Sequence, residues 1–161
     1  LVSEQDGELA LALYLDGGDL GAVAGATRAG RPLPWGPLLR VLEGVSHFVY
    51  LAWCAQAGQA VSVLELELQA EVDKFAACTM LGGDGDSRAL RRRLYRVEDI
   101  RADLPAEARD RYRAAVTMAA LLARALERRY VRTGRRQEMV RALRRFYRLP
   151  RAEKIAACLA A

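Results

Sequence analysis

Histidine occurs once, at His47, lysine only at Lys74 and Lys154, and serine only at Ser3, Ser46, Ser62 and Ser87. These scarcities narrow the chemistry. A serine triad would have to use His47, which follows Ser46 directly and so stands about 100° away from it around a helix. Neither a Gly-x-Ser-x-Gly elbow nor a glycine-rich phosphate loop occurs, so nucleophilic catalysis has little support. A carboxylate-bridged metal pair in a helical bundle uses a Glu-x-x-His on each of two helices, whereas here Glu43 stands four residues before the single histidine. No metal and no cofactor are expected. The three cysteines, Cys54, Cys78 and Cys158, are odd in number, far apart and never in a Cys-x-x-Cys, which argues against a disulfide framework or a zinc site. They read as small core residues of a cytoplasmic protein. No apolar run approaches the length of a membrane span and no signal-peptide pattern is visible, so a membrane is not an expected partner.

What the chain has is alanine, leucine and arginine. Arginine outnumbers lysine by 23 to 2, an imbalance that a GC-rich genome produces by itself. The net charge of +5 hides a division: residues 1–86 balance at −8 and residues 87–161 at +13. Halves of opposite sign either pack on each other or leave the basic one for an acidic partner. At 161 residues with 52% hydrophobic side chains, the chain suits one domain, mainly α-helical and at the margin of α+β.

The other segments are arranged around residues 61–80. Ser62 and Glu65 have capping-box spacing, and Val61 and Leu66 occupy the positions of a hydrophobic staple. From Leu64 to Asp73 apolar and polar residues alternate as in a half-buried strand, but leucine, glutamate, glutamine and alanine are strong helix formers with little β-branching among them. A helix is the expectation. Its wheel places Leu64, Leu68, Val72 and Phe75 on one arc and Val63, Leu66 and Ala70 on another, with Glu67, Glu71, Lys74 and Cys78 between them. Glu65, Gln69 and Asp73 take the remaining side, expected to face solvent.

Elsewhere, residues 1–16 read as a hairpin turning at Asp6-Gly7, with Leu9, Leu11, Leu13 and Leu15 alternating after the turn. Asp19 is placed to cap a short helix ending near Thr27. A helix over residues 37–57 has Leu38, Val41, Leu42, Val45, Phe48, Val49, Ala52 and Trp53 as its apolar face, opposite Arg40, Glu43, His47, Tyr50 and Cys54. A short connection would make it an antiparallel partner of the central helix, with His47 level with Glu71 to Lys74. Residues 17–81 thus form an acidic helical half. Residues 82–86, Gly-Gly-Asp-Gly-Asp, form a loop lacking the later ligands of a calcium site. Beyond it, residues 87–161 form an Arg-rich half of helices near 87–96, 105–132, 135–149 and 150–159.

Two constellations compete for function. Glu67, Glu71 and Lys74, with His47 and Tyr50, would form a buried cluster suited to acid and base work, or an ion-pair network that merely fixes helix register. Arg141, Arg144, Arg145 and Arg148 share one arc with only Gln137 and Glu138 nearby, and Arg124 and Arg128 stand opposite the packing stripe of the preceding helix. The favoured expectation is a non-catalytic interaction protein or assembly subunit that holds an acidic protein surface or nucleic acid with those six arginines. The alternatives are a small enzyme built on the Glu/Lys/His cluster and a self-associating helical protein; a homo-oligomer is compatible with each.

Overall fold

A computed structural model describes residues 2–5, 8–81, 86–96 and 103–161. The chain is mainly helical and divides into two compact units, residues 1–61 and 62–161.

The N-terminal unit opens with strands β1 (Val2–Gln5) and β2 (Glu8–Leu11), antiparallel, with Val2 opposite Leu11 and Gln5 opposite Glu8. That register leaves two residues to turn the chain, as the Asp6-Gly7 spacing implies, although Asp6 and Gly7 lie outside the described residues. The strand ends at Leu11, short of the expected residue 16. Leu13 and Leu15 instead run over Gly44, where an added Cβ would come within 2.7 Å of Leu15 Cδ2. Helix α1 (Gly17–Arg28) is capped by Asp16, whose Oδ1 accepts from the Asp19 amide at 2.9 Å. Asp19 was the expected cap; it is held instead by Arg40, whose Nε and Nη2 each donate to it at 2.6 Å. The bidentate guanidinium bond keeps the Asp19 carboxyl below the usual carboxylate range.

Helix α2 (Trp35–Gln56) differs from its expected facing. The buried strip is Leu38, Ser46, Tyr50 and Cys54, while Val45 and Val49 of the anticipated core face are exposed. Apolar residues occupy most of its circumference, and periodicity cannot choose a face on such a helix. By length and composition α2 is also long and apolar enough to cross a membrane, which revises the reading that no segment approaches that length. Arg40, Glu43 and His47 interrupt its apolar run.

The C-terminal unit is built around α3 (Val63–Leu81). Its capping box forms: the Ser62 amide and hydroxyl both donate to Glu65 Oε2, at 3.0 and 2.9 Å, and the Glu65 amide donates to Ser62 Oγ at 3.3 Å. Ser62→Ala is expected to cost about 1 kcal/mol of stability, read by chemical denaturation; no measurable loss would show that Glu65 caps the helix alone. Helix α4 (Ser87–Leu94) starts from Asp86, which accepts from the Arg88 and Ala89 amides. Helix α5 (Ala106–Leu126) makes the most extensive contact with α3. Ala115, Ala119 and Ala123, one turn apart and buried, let the two backbones approach closely. Helix α5 runs into a π-helical turn, Glu127–Val131, and Gly134, with φ of 68°, ends the segment. Helices α6 (Arg136–Tyr147) and α7 (Arg151–Leu159) complete the unit. One apolar cluster joins Leu68, Val72, Ala119, Phe146 and Cys158, and a second joins Phe75, Ala123, Leu126 and Met139.

The solvent face expected for α3 is closed. Glu65 and Gln69 are buried, leaving only Asp73 of that trio partly accessible. Helix α7 reaches this side: Lys154 Nζ donates to Gln69 Oε1 at 2.7 Å. A helix surrounded by neighbours needs no polar face, provided its polar groups find partners.

Candidate functional site

The Glu/Lys stripe of α3 is part of a buried polar network. Lys74 Nζ donates to Glu71 Oε1 at 2.7 Å, one turn apart, with both side chains about nine-tenths buried. Glu67 is buried on the same helix. The Tyr95 hydroxyl donates to the Glu71 carbonyl at 3.0 Å. Burial, and then the Glu71 charge, push its phenol well above the usual range. Gln69 joins the two ends of a second branch, donating from Nε2 to Asp73 Oδ1 at 2.9 Å while accepting from Lys154. Lys154 is fully buried, and its ammonium lies 5.2 Å from the Phe146 ring centre and 5.6 Å from that of Tyr147. Sequence reading missed Lys154, because a lone lysine between Glu153 and Ile155 on a short helix gives no sign of burial.

The cysteines beside this network are poor nucleophiles. Burial pushes the thiols of Cys78 and Cys158 up to about 11, against a smaller lowering by Lys74 and Arg93 at Cys78 and by Lys154 at Cys158. Both stay protonated at neutral pH.

His47 belongs to the N-terminal unit, while Glu67, Glu71 and Lys74 belong to the C-terminal one. Its surroundings within its own unit are a cleft of about 310 Å³ shared with Tyr14, Asp16, Asp19, Arg40 and Glu43. Among the described residues no group of three or more histidine, cysteine or acidic side chains has metal-binding geometry. Tyr50, the other residue weighed for the cluster, stacks on Trp53 with ring centres 6.0 Å apart.

The arginines present the opposite picture. Arg141, Arg144 and Arg145 on α6 and Arg148 just beyond it are exposed, with Met139 and Phe146 buried on the other side of the helix. Among the described residues no carboxylate pairs with any of the four. The nearby acid, Glu138, is engaged by Arg135 at 3.1 Å. Arg124 and Arg128 are exposed on α5 and the π-helical turn, and Arg128 Nη2 donates to the Ala161 carbonyl at 3.3 Å. Glu127 beside them is buried, where Arg91 Nε at 2.8 Å and the Ser87 hydroxyl at 3.3 Å hold it. The two acids among residues 124–151 are thus already bound, and the outward charge of this stretch is nearly all positive. Such a surface has a strong field in water and attracts anions without needing a shaped cavity.

Comparison with protein-family models, with curated proteins and with solved structures finds no match to this chain.

Proposed function

We propose that this protein is a non-catalytic interaction module that holds a polyanionic partner on the arginine surface of its C-terminal unit. The observation carrying this reading is the row Arg141, Arg144, Arg145 and Arg148, four exposed guanidiniums within about two helical turns and no carboxylate bound to them among the described residues. A guanidinium fork matches phosphate and carboxylate oxygens alike. Repetition of the fork along one helix favours a partner whose charges also repeat, and a nucleic-acid backbone has that property. Arg124 and Arg128 add exposed positive charge on α5 and the π-helical turn. Sequence-independent phosphate contact requires none of the groove-reading motifs that are missing from the chain.

The test is binding to random-sequence single-stranded and duplex nucleic acid at two salt concentrations, with Arg141, Arg144, Arg145 and Arg148 changed together to glutamine. The wild type is expected to bind more weakly as salt rises, and the variant to lose about 3 units of the log-log salt slope through four lost phosphate contacts. Binding that is unchanged in the variant would reduce the row to a solvated face. Poly-glutamate serves as a parallel arm: binding there with none to nucleic acid would point to an acidic protein surface.

A further inference from the structure

A second feature of the C-terminal unit lies beside the arginine row and differs from it in chemistry. Between the end of α5, the π-helical turn, α6 and α7 there is a cleft of about 390 Å³. Leu126 and Phe146, both buried, form its floor, and Leu122, Leu143 and Leu149 its partly exposed walls. Two charged side chains line it, Arg129 from the π-helical turn and Arg145 from α6, both exposed and therefore at the rim. Neither guanidinium is paired with a carboxylate among the described residues. The π turn bears on this arrangement. The extra residue within the helix, closed by the Arg132 amide donating to the Glu127 carbonyl at 3.0 Å, shifts every later side chain around the axis relative to an α-helix. Arg129 and Tyr130 reach the cleft from inside this turn, and Arg135 lies 5.6 Å from the Tyr130 ring centre.

We propose that this cleft binds a single-chain anionic amphiphile: a carboxylate seated between Arg129 and Arg145, with an apolar tail on Leu126 and Phe146. The volume is in the range of small-molecule sites. At about 30 Å³ for each water-sized group, it holds about a dozen such groups, the size of a ten-carbon carboxylate. A neutral hydrocarbon would leave two guanidiniums at the rim without an anion, and a cation would be repelled by both. The carboxylate head satisfies the fork geometry of either arginine, and the tail displaces water from a surface that hydrogen-bonds it poorly. This site goes beyond the polyanion reading and does not rest on it, since the two share only Arg145.

The test titrates decanoate, below its micelle concentration, into the full chain and follows leucine methyl resonances. Saturable shifts confined to Leu122, Leu126, Leu143 and Leu149 are expected, with decyltrimethylammonium producing none. Arg129→Gln and Arg145→Gln, surface changes that leave the core intact, are each expected to weaken decanoate about tenfold. Ala125→Phe, which fills the cleft from α5, is expected to abolish binding. The variant Arg141→Gln, Arg144→Gln, Arg148→Gln keeps both rim arginines, so it retains decanoate while its nucleic-acid salt slope falls by about 2 units. That separates failure of one reading from failure of the other. Equal affinity for decanoate and decyltrimethylammonium would overturn the proposal. So would indifference to both rim substitutions, or binding to phosphatidylglycerol vesicles with no shift from free decanoate.

Discussion

Lys154→Ala is expected to lower the unfolding free energy by about 2–5 kcal/mol, seen as a fall in the urea midpoint without a change in slope. Lys154 is buried completely, its aliphatic stem is enclosed with the side chains of α3 and α6, and its ammonium is held by Gln69 and by two aromatic rings. Truncation removes several methylenes from a packed interior, each worth about 0.8 kcal/mol, and leaves Gln69 Oε1 without its donor. Lys154→Met separates the two effects. It keeps most of the volume, and the return of the ammonium's desolvation cost offsets the lost hydrogen bond, so the stability should stay within about 1–2 kcal/mol of the wild type. Equal losses for alanine and methionine would mean that the charge, not the packing, is what Lys154 contributes. An alanine loss below about 1 kcal/mol would contradict the burial itself.

The second large effect concerns the pair that would otherwise be read as catalytic. Glu71→Gln leaves Lys74, with side-chain exposure of 9%, facing an amide instead of a carboxylate. Breaking one side of a buried pair costs about 3–5 kcal/mol because the remaining charge loses its paired carboxylate where water reaches it poorly. Adding Lys74→Met removes the lysine charge as well and is expected to restore much of the stability, giving a double-mutant coupling of about 1–3 kcal/mol. A glutamate that served only as a general base would behave otherwise: its replacement by glutamine would silence an activity and leave the unfolding curve within about 0.5 kcal/mol. Glu71 is also bound through its backbone by Tyr95, so α3, α4 and the ion pair are tied at one level of the unit. Loss of stability on Glu71→Gln with recovery in the double variant is the result expected of a network that fixes helix register.

Both experiments concern a region where sequence reading was half successful. The helix over residues 63–81 was legible in spite of its strand-like alternation, because the Ser62 and Glu65 cap and the strong helix formers act within a few residues of each other. The same holds for the hairpin register, which depends on the two residues between β1 and β2, and for the stripe of α5 with its alanines at every fourth position. The outward arginine row was also legible, since its one-sidedness is a property of a single helix. Facing was harder wherever a helix has apolar residues on several sides or polar residues that are buried. Helix α2 buries the strip that contains Tyr50 and Cys54 rather than the one richest in valine, and α3 buries Glu65 and Gln69 along with its leucines.

The sequence by itself determined the elements and their caps, the division of charge, and the face of α6 on which Arg141, Arg144, Arg145 and Arg148 stand. These follow from interactions spanning one or two turns of backbone, which a linear pattern records. Only the tertiary structure decided which polar groups meet: Lys154 with Gln69, 85 residues apart, and Arg91 with Glu127, 36 apart. It also decided the π-helical turn and the cleft whose rim holds Arg129 and Arg145. Such contacts depend on how whole helices close around α3. A side chain's own neighbourhood in sequence has no information about a partner that a later helix brings to it.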